Sequence, residues 1–396
     1  MDLPKEALAL LRKNRRVTGG YQYTVPAQGK YPYQWLWDSC FHAIVLSSLE
    51  PDAAKAEIRS LLSRQFPDGM VPHIIFWEKG FPHLYDWGWG TNGTSSITQP
   101  PMLAYAVWEI HKRTGDKAFL EEVYPKLLAF YQYLIGKRDP QDHHLVGIIN
   151  PDESGEDNSP RFDTPLGVKS DITFLWHLYR RHKLVMENRV CNFDVEMCMS
   201  KNFWVKDVPF NAILVKNLEI LGHIASLLAH NEGTHFATEH KKLVAAAMRE
   251  RLFENGVYWS ASDHVYRLLK VPTWAHFAPL FADLYTKEEA EALIKEHFNN
   301  TETFKAPFGI RTVSKKEPSY QRDGFWRGPV WIAPHWFMYK GLVAYGFKNE
   351  AAFLKESTLS LLERSGFREY FDPETGAGYG AKDFTWGTLA LDMTEV

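Results

Sequence analysis

Apolar residues recur at helical spacing in one segment after another of this chain, and the segments come in consecutive pairs, one nearly all apolar and the next amphipathic. A short helix is expected over residues 4–15, then an extended stretch to 33. Helical patterns follow over 38–49 and 54–65, the second stopped by Pro67-Asp68-Gly69. Residues 70–77 read as extended, followed by a Gly/Trp/Pro loop to 94. The pattern over 97–114 is apolar nearly all round in its first half. The next carries Phe119, Leu120, Val123, Tyr124, Leu127, Leu128, Tyr131 and Leu134 on one stripe with charges between. Further patterns cover 170–187, 209–231, 234–254, 273–284, 287–298, 329–345, 349–364 and 385–394. Residues 188–208 read as an irregular connection, and 254–269 alternate enough for a small hairpin.

About twelve helices alternating between buried and half-buried, with no strand run fit for a parallel sheet, predict an all-α fold of two concentric rings. The expected architecture is an (α/α)6 barrel, a six-hairpin toroid with long loops and a small β-hairpin at the rim, forming one domain over 1–396. An open solenoid is the alternative. It would show a fixed-period repeat, and here the inter-helix loops are unequal and rich in motifs.

Composition narrows the function. A net charge of −3 gives no basic field for nucleic acid. No apolar run reaches the roughly 20 residues that span a bilayer, and the charged N-terminus lacks the apolar core of a signal peptide. Three cysteines argue against a disulfide framework and fit a reducing, cytoplasmic setting. No Gly-rich phosphate loop follows a strand and no zinc spacing appears, so neither cofactor nor metal is expected. The 14 tryptophans suit core packing, and indole faces also stack on the C–H faces of sugars.

Tryptophan, acids and glycine concentrate in a few loop and helix-end stretches. One is Gln34-Trp35-Leu36-Trp37-Asp38, and another runs from Asp152 to Asp163. A third runs from Tyr320 to Trp331 and includes Asp323, Trp326, Arg327 and Gly328-Pro329. A fourth runs from Arg368 to Gly376, and a fifth is Thr98-Gln99-Pro100-Pro101. Each adjoins the start of an expected inner helix, which would gather them at one mouth of the barrel.

Several of these residues admit two readings. Trp35 and Trp37 serve as core or as platform, and Asp38 as helix cap or sugar ligand. Arg327 binds substrate or pairs with an acid, and His73 reads as a hydrogen-bonded structural histidine rather than a base. Paired carboxylates beside aromatic platforms are what glycoside cleavage needs: one acid protonates the leaving oxygen, and a second carboxylate activates water or attacks carbon. In the acidic loop, Gly155 allows a turn after which Asp157 points inward while Glu156 points away, and Asp163 lies where it can pair with Arg161. In the fourth stretch, Asp372-Pro373-Glu374-Thr375-Gly376 reads as a tight turn with Asp372 as its acceptor and Glu374 at its tip, preceded by Glu369.

Taken in order, Trp35-x-Trp37-Asp38, Asp68-Gly69-Met70-Val71-Pro72-His73, Thr98-Gln99-Pro100-Pro101, Glu153-Ser154-Gly155-x-Asp157-Asn158-Ser159-Pro160-Arg161, Trp326-Arg327-Gly328-Pro329-Val330-Trp331 and Glu369-Tyr370-Phe371-Asp372-Pro373-x-Thr375-Gly376 resemble glycoside hydrolase family 63. The likeness runs from about residue 33 to 388 and is strongest to short bacterial and plant members related to mannosylglycerate and glucosylglycerate hydrolases. It implies an (α/α)6 barrel and an inverting mechanism on α-linked sugars. It also implies Asp157 as general acid, Glu369 as general base, and Trp35, Trp37, Asp38, Gln99, Trp326 and Trp331 as pocket residues. One departure is Asp152, where such relatives often carry an aromatic residue before Glu-Ser-Gly.

The expected function is therefore inverting hydrolysis of a small α-glucoside or α-mannoside, with a glycerate glycoside as the sharper choice and short gluco-oligosaccharides as the alternative. Beyond the residues already placed in the pocket, Tyr33, His73, Arg161, Tyr320, Asp323, Arg327 and Trp386 complete the expected substrate-binding set. A sugar isomerase or epimerase on the same barrel is the alternative of another class; it would use paired histidines, which the motif stretches lack. The partner is a small carbohydrate, and the sequence leaves monomer and homo-oligomer both open.

Overall fold

A computed structural model describes residues 2–78, 88–89, 93–169 and 174–394. Its helices, in chain order, are α1 (Leu3–Asn14), α2 (Leu36–Leu49), α3 (Pro51–Leu62), α4 (Leu103–Thr114), α5 (Lys117–Lys137), α6 (Asp163–Leu166), α7 (Phe174–Val190), α8 (Val195–Lys201), α9 (Val208–Leu227), α10 (Asn231–Leu252), α11 (Lys287–Leu293), α12 (Ile332–Tyr345) and α13 (Lys348–Ser365). The chain is mostly helical, as its periodicity predicts.

Burial separates the helices into two classes. In α2 every residue from Leu36 to Ser47 is buried, and α9 and α12 are buried on nearly every side. In α10 the buried positions form a stripe through Gly233, Ala237, Val244, Ala247, Met248 and Leu252. The apolar class makes a continuous set of contacts. Helix α2 packs on α4, α4 on α9, α9 on the 3-10 segment Ala278–Ala282, and that segment on α12. Helix α12 packs on the 3-10 segment Thr385–Ala390, which packs on α2. The amphipathic class lies on these: α3 on α2, α5 on α4, α10 on α9, α13 on α12, and α1 on the Thr385–Ala390 segment.

Several boundaries depart from the periodic reading, each for a local reason. Helix α4 begins at Leu103 rather than 97, because Pro100 and Pro101 lack the N–H groups a helix would use and bias the residue before them out of helical geometry. Its end at Gly115, in the left-handed region with φ 65°, and the Asp116 cap accepting from Phe119 N at 3.0 Å separate it from α5. The 273–284 segment is two short 3-10 turns, Trp274–His276 and Ala278–Ala282, separated at Phe277, with Pro279 in the first positions of the second turn and Asp283 ending it at φ 55°. Thr385–Ala390 is also 3-10; the Thr388 hydroxyl donates to Thr385 O at 2.7 Å, a local bond that competes with regular helix. The connection over 188–208 contains α8, whose Asp194 cap accepts from Met197 N at 2.9 Å. Most of the Gly/Trp/Pro loop before Thr94 lies outside the described residues.

All strand pairs among the described residues are antiparallel and short. Residues 253–269 form two small pairs, one of which extends to Val205–Lys206. The pair that matters for the site joins Arg368–Phe371 to Gly378–Lys382. The three cysteines are free and buried. No helix among the described residues is long and apolar enough to cross a membrane.

Candidate active site

The five motif stretches meet at one open cleft. Trp35, Trp37 and Asp38 come from the start of α2, Gln99 from the segment before α4, and Asp157 from the acidic loop. Trp326 and Trp331 precede α12, Glu369 lies on the Arg368–Phe371 strand, and Trp386 and His73 complete the wall.

Local chemistry fixes each of these positions. Gln34 and Trp35 pair with Ile74–Ile75, which sets the entry into α2. That helix has no side-chain cap, so Asp38, within its first turn, is not spent on capping. The Asp38 carboxylate accepts a 2.6 Å bond from Trp386 Nε1, and burial pushes its pKa up to about 6 against the opposing charge of His42. The Gln99 amide oxygen accepts from Trp37 N at 3.3 Å. Trp326 and Trp331 stack face to face, centroids 3.9 Å apart and planes 6° apart, with Trp331 Nε1 donating to Phe325 O. Gly155 has φ 72°, and a β-carbon there would fall 2.1 Å from the Trp37 ring, so glycine is required on both counts where the acidic loop crosses the Trp-x-Trp-Asp stretch.

The acidic loop and the 369–374 turn hold many carboxylates, and most are taken by arginine. Glu153 is fully buried, bonded to both Arg138 amino groups and to the amides of Thr98 and Ile149. Glu156 turns away from the cleft onto Arg161, which also bonds Asp207 at 2.9 Å. Asp163 pairs with Arg327 rather than with Arg161. Asp372 accepts from Arg322 and from the amides of Glu374 and Thr375, which hold its pKa down at about 2 despite partial burial. Glu374 pairs with Arg311.

Asp157 and Glu369 are held differently. The Glu369 carboxylate is 1% exposed and accepts from Tyr31 Oη at 2.5 Å, Lys30 Nζ at 2.9 Å and Ala381 N at 2.6 Å. Lys30 itself is half exposed and lies over the Phe325 ring. The Asp157 side chain is 30% exposed, with Arg181 Nη1 2.9 Å away. Asp152 also lines the cleft, 3.0 Å from Arg181 Nε, and burial pushes its pKa up to about 6, with Arg181 opposing and Asp157 adding to the rise.

Five expected binding residues are placed off the wall. Tyr33 packs its ring on Trp35 and Phe76. Arg161 and Arg327 are buried and committed to the carboxylates named above, since an unpaired buried charge would be costly. Tyr320 lies against Gly328, where a β-carbon would meet its ring at 2.7 Å. Asp323 is exposed. His73 lines the wall, but its Nδ1 is engaged with Ser95 Oγ at 2.9 Å, and burial, aided by Arg181, pushes its pKa down to about 3. It is a neutral group in the cleft.

Tyr31, Asp152, Arg181, Phe325 and Phe384 line the cleft without having been in the expected site, as do Pro26, Ile74 and Gly155. Tyr31 stands two residues before Tyr33 in the same aromatic run and Phe325 directly precedes Trp326, so proximity was their signal. Arg181 sits in an ordinary amphipathic helix and gave none. Among the described residues, the one group of three potential metal ligands, Asp139, Asp142 and His144, lies outside this cleft, and Asp139 already bonds Lys206 at 2.9 Å.

Over nearly its whole length the chain is similar to known glycoside hydrolases. A mannosylglycerate hydrolase of Thermus thermophilus is 35% identical, the alignment covering 98% of this chain and all of the relative. A glucosylglycerate hydrolase of Mycolicibacterium hassiacum is 27% identical over 98% of this chain and 97% of that one. The crystal structure of a glycoside hydrolase family 63 mannosylglycerate hydrolase from Thermus thermophilus, in complex with Tris and D-glycerate, superposes with a TM-score of 0.90 at 35% identity, covering 99% of each chain. The family model for the mannosylglycerate hydrolase MGH1-like glycoside hydrolase domain matches residues 31–387, and this chain belongs to that family of glycoside hydrolases.

Proposed function

We propose that the chain is a single-domain inverting α-glycosidase in which Asp157 is the general acid and Glu369 the general base. The observation that carries this is the different fate of the acids around one aromatic cleft. Glu153, Glu156, Asp163, Asp372 and Glu374 each face an arginine away from the cleft, while Asp38, Asp152, Asp157 and Glu369 line it; Asp38 is bonded to Trp386 Nε1 and Asp152 is more enclosed than Asp157, which leaves Asp157 and Glu369 for the two roles. A carboxylate only accepts, and three donors converge on Glu369, which suits the ionised form a base must have. Asp157, on the turn after Gly155, is the group open to a leaving oxygen.

In this mechanism Trp35, Trp37, Trp326 and Trp386 seat the ring and exclude water, and Asp38 and Gln99 take its hydroxyls. Asp157 gives its proton to the glycosidic oxygen while Glu369 draws a proton from the attacking water, so the product has the opposite anomeric configuration. The contacts among the apolar helices support an (α/α)6 barrel as the frame.

The substrate is a small α-mannoside or α-glucoside, with a glycerate glycoside first. The relatives' named activities support this, as does a cation, Arg181, on the cleft wall. An isomerase would need a second histidine beside neutral His73, and the described lining residues include none. The test offers mannosylglycerate, glucosylglycerate, kojibiose, nigerose and maltose side by side, with NMR of the anomer first released. Faster turnover of a glycerate glycoside with inversion is expected. Release of the retained anomer would overturn the mechanism, and cleavage of the neutral disaccharides alone would overturn the substrate. Asp157→Asn and Glu369→Gln should each lose about 10²–10⁴-fold in turnover with the fold intact, and Glu374→Gln should be nearly silent. A dead Glu374→Gln beside an active Glu369→Gln would refute the choice of base.

A further inference from the structure

Every buried carboxylate among the described residues has a lysine or arginine within ion-pair distance except two, Asp38 and Glu57. Both are closely enclosed, with 4% and 2% exposure. One histidine stands between them. His42 lies one turn after Asp38 on α2, and the two side chains meet consecutive residues of the Thr385–Ala390 segment. His42 Nε2 is 2.6 Å from Thr385 Oγ1, as the Asp38 carboxylate is from Trp386 Nε1. The other ring nitrogen, Nδ1, faces α3, 3.6 Å from Glu57 Oε1, and has no hydrogen-bond partner among the described residues. The remaining side-chain donors to Glu57 are neutral: the Ser39 hydroxyl at 2.7 Å and the Gln34 amide at 3.5 Å.

Two buried carboxylates without a cation are costly, and three titratable groups this close share their protons as one set. Ionised carboxylates only accept, and Thr385 Oγ1 can accept as well, so both ring nitrogens of His42 can hold a proton. With His42 neutral, an acid of the set takes the proton instead, and Asp38 is the acid on the cleft wall. We propose that His42 is a positioning residue for substrate binding: as an imidazolium between Asp38 and Glu57 it keeps Asp38 ionised and so an acceptor for the sugar's hydroxyls. The inference rests on the reading of Asp38 as a hydroxyl ligand.

The other titratable groups on the elements packed against α2 are accounted for. Cys40, on α2 itself, is kept a neutral thiol by burial. On α3, Lys55 and Arg59 pair with Asp116 and Glu122. On α4, Glu109 pairs with Lys112, and on α1, Arg12 pairs with Glu50 beyond the end of α2. Tyr23, on the strand Tyr21–Thr24, is a phenol stacked on Trp77, and burial pushes its pKa up. The Thr385–Ala390 segment has no titratable side chain. Burial pushes Asp38 up to about 6, and His42 is the foremost influence against that rise.

The test follows KM and kcat from about pH 5 to about pH 9, with mannosylglycerate or glucosylglycerate, whichever the parent cleaves faster. In His42→Gln, whose amide can still bond Thr385, the cation is gone and Asp38 keeps its proton to higher pH. The acid limb of 1/KM should move upward, KM rising about tenfold on its acid side for each pH unit moved. The difference should close toward about pH 9, with kcat little changed. Glu57→Gln removes the second carboxylate and should move the limb downward. The double variant should therefore bind better than His42→Gln alone, whereas two packing defects would add. A KM raised equally at every pH, or a double variant that binds worse than His42→Gln, would mean that His42 only fills space beside α3, and the proposal falls. If His42→Gln does not fold, an unmoved limb in Glu57→Gln overturns it equally. Asp38→Asn separates the two levels: it should bind more weakly and lose the limb. Parent-like binding in that variant would remove Asp38 from the sugar contacts, and the proposal with it.

Discussion

Gly380 lies under the proposed base, and replacing it should disable the enzyme without touching a catalytic side chain. Its φ is 65°, and an alanine β-carbon there would fall 2.2 Å from Glu369 Oε2, 2.8 Å from Glu369 Cβ and 2.8 Å from the Tyr370 ring. A carbon and an oxygen in contact sit roughly 3.3 Å apart or more, so the carboxylate must retreat by about 1 Å. A long side chain on the surface would do so freely. This one is buried and fixed by Tyr31, Lys30 and the Ala381 amide, so the retreat breaks the bonds that aim it. A misplacement of about 1 Å costs on the order of 10²-fold in rate, equivalent to about 2.7 kcal/mol of barrier. The stability cost combines a left-handed alanine, ~1–2 kcal/mol, with local overpacking, ~1–3 kcal/mol. Gly115→Ala is the control: its φ is also 65°, but a β-carbon there meets nothing within 4 Å. Sugar release measured well below the thermal midpoint should show kcat down about a hundredfold in Gly380→Ala with KM little changed, and Gly115→Ala unaffected apart from the backbone penalty. If Gly380→Ala turns over within threefold of the parent, the backbone beneath Glu369 does not aim it.

Three further outcomes can be checked directly. Asp38 has a folded pKa near 6 against 3.8 in the free residue, so its stabilising contribution is complete below about pH 3.8 and is lost as pH rises through about 6; Asp38→Asn, which keeps an oxygen for Trp386 Nε1, should gain in Tm over the parent at pH 7.5 but not at pH 4, while binding substrate more weakly. Arg161→Met leaves Glu156 and Asp207 buried without their cation and should cost ~3–5 kcal/mol in denaturant titrations; a fully stable variant with a raised KM would put Arg161 back among the substrate contacts. Trp35→Ala should raise KM more than it lowers Tm, and unfolding with KM unchanged in the folded fraction would make that ring a core residue.

The parts of the molecule legible in the sequence were those governed by short-range rules. Apolar spacing marked the helix pairs because each stripe had to be buried against a neighbour. It failed at residues 97–102 and 273–284, where Pro100, Pro101 and Pro279 override periodicity through missing donors and fixed φ. Among the site residues, the tryptophans and the four cleft acids, Asp38, Asp152, Asp157 and Glu369, sit in stretches whose density of aromatics and acids stands out. Arg161 and Arg327 sit in the same stretches, yet Arg161's second partner Asp207 and Arg327's partner Asp163 lie 46 and 164 residues away along the chain, and no local pattern signals a buried ion pair of that span. Arg181 shows the reverse. It enters the cleft from an amphipathic helix whose sequence reads as ordinary surface, because only the packing of α7 against the acidic loop turns that position inward.

The same pairing explains why a loop so crowded with carboxylates can serve a reaction that uses two. An arginine clamped on an acid by two or more bonds fixes both its position and its charge, since guanidinium does not titrate in the working range. Arg138, Arg161, Arg327 and Arg322 do this for Glu153, Glu156 together with Asp207, Asp163 and Asp372, and so convert the acids flanking the cleft into scaffold. A base and an acid need partners that yield. Around Glu369 these are a phenol, a half-exposed ammonium and one amide. A phenol hydroxyl can turn aside to let a water reach the carboxylate, and a half-exposed lysine is held by a pair that solvent weakens. Beside Asp157, Arg181 lies within 3.0 Å of a second carboxylate, Asp152. The difference between scaffold acids and the proposed working acids therefore lies less in the acids than in how completely the surrounding cations are committed to them.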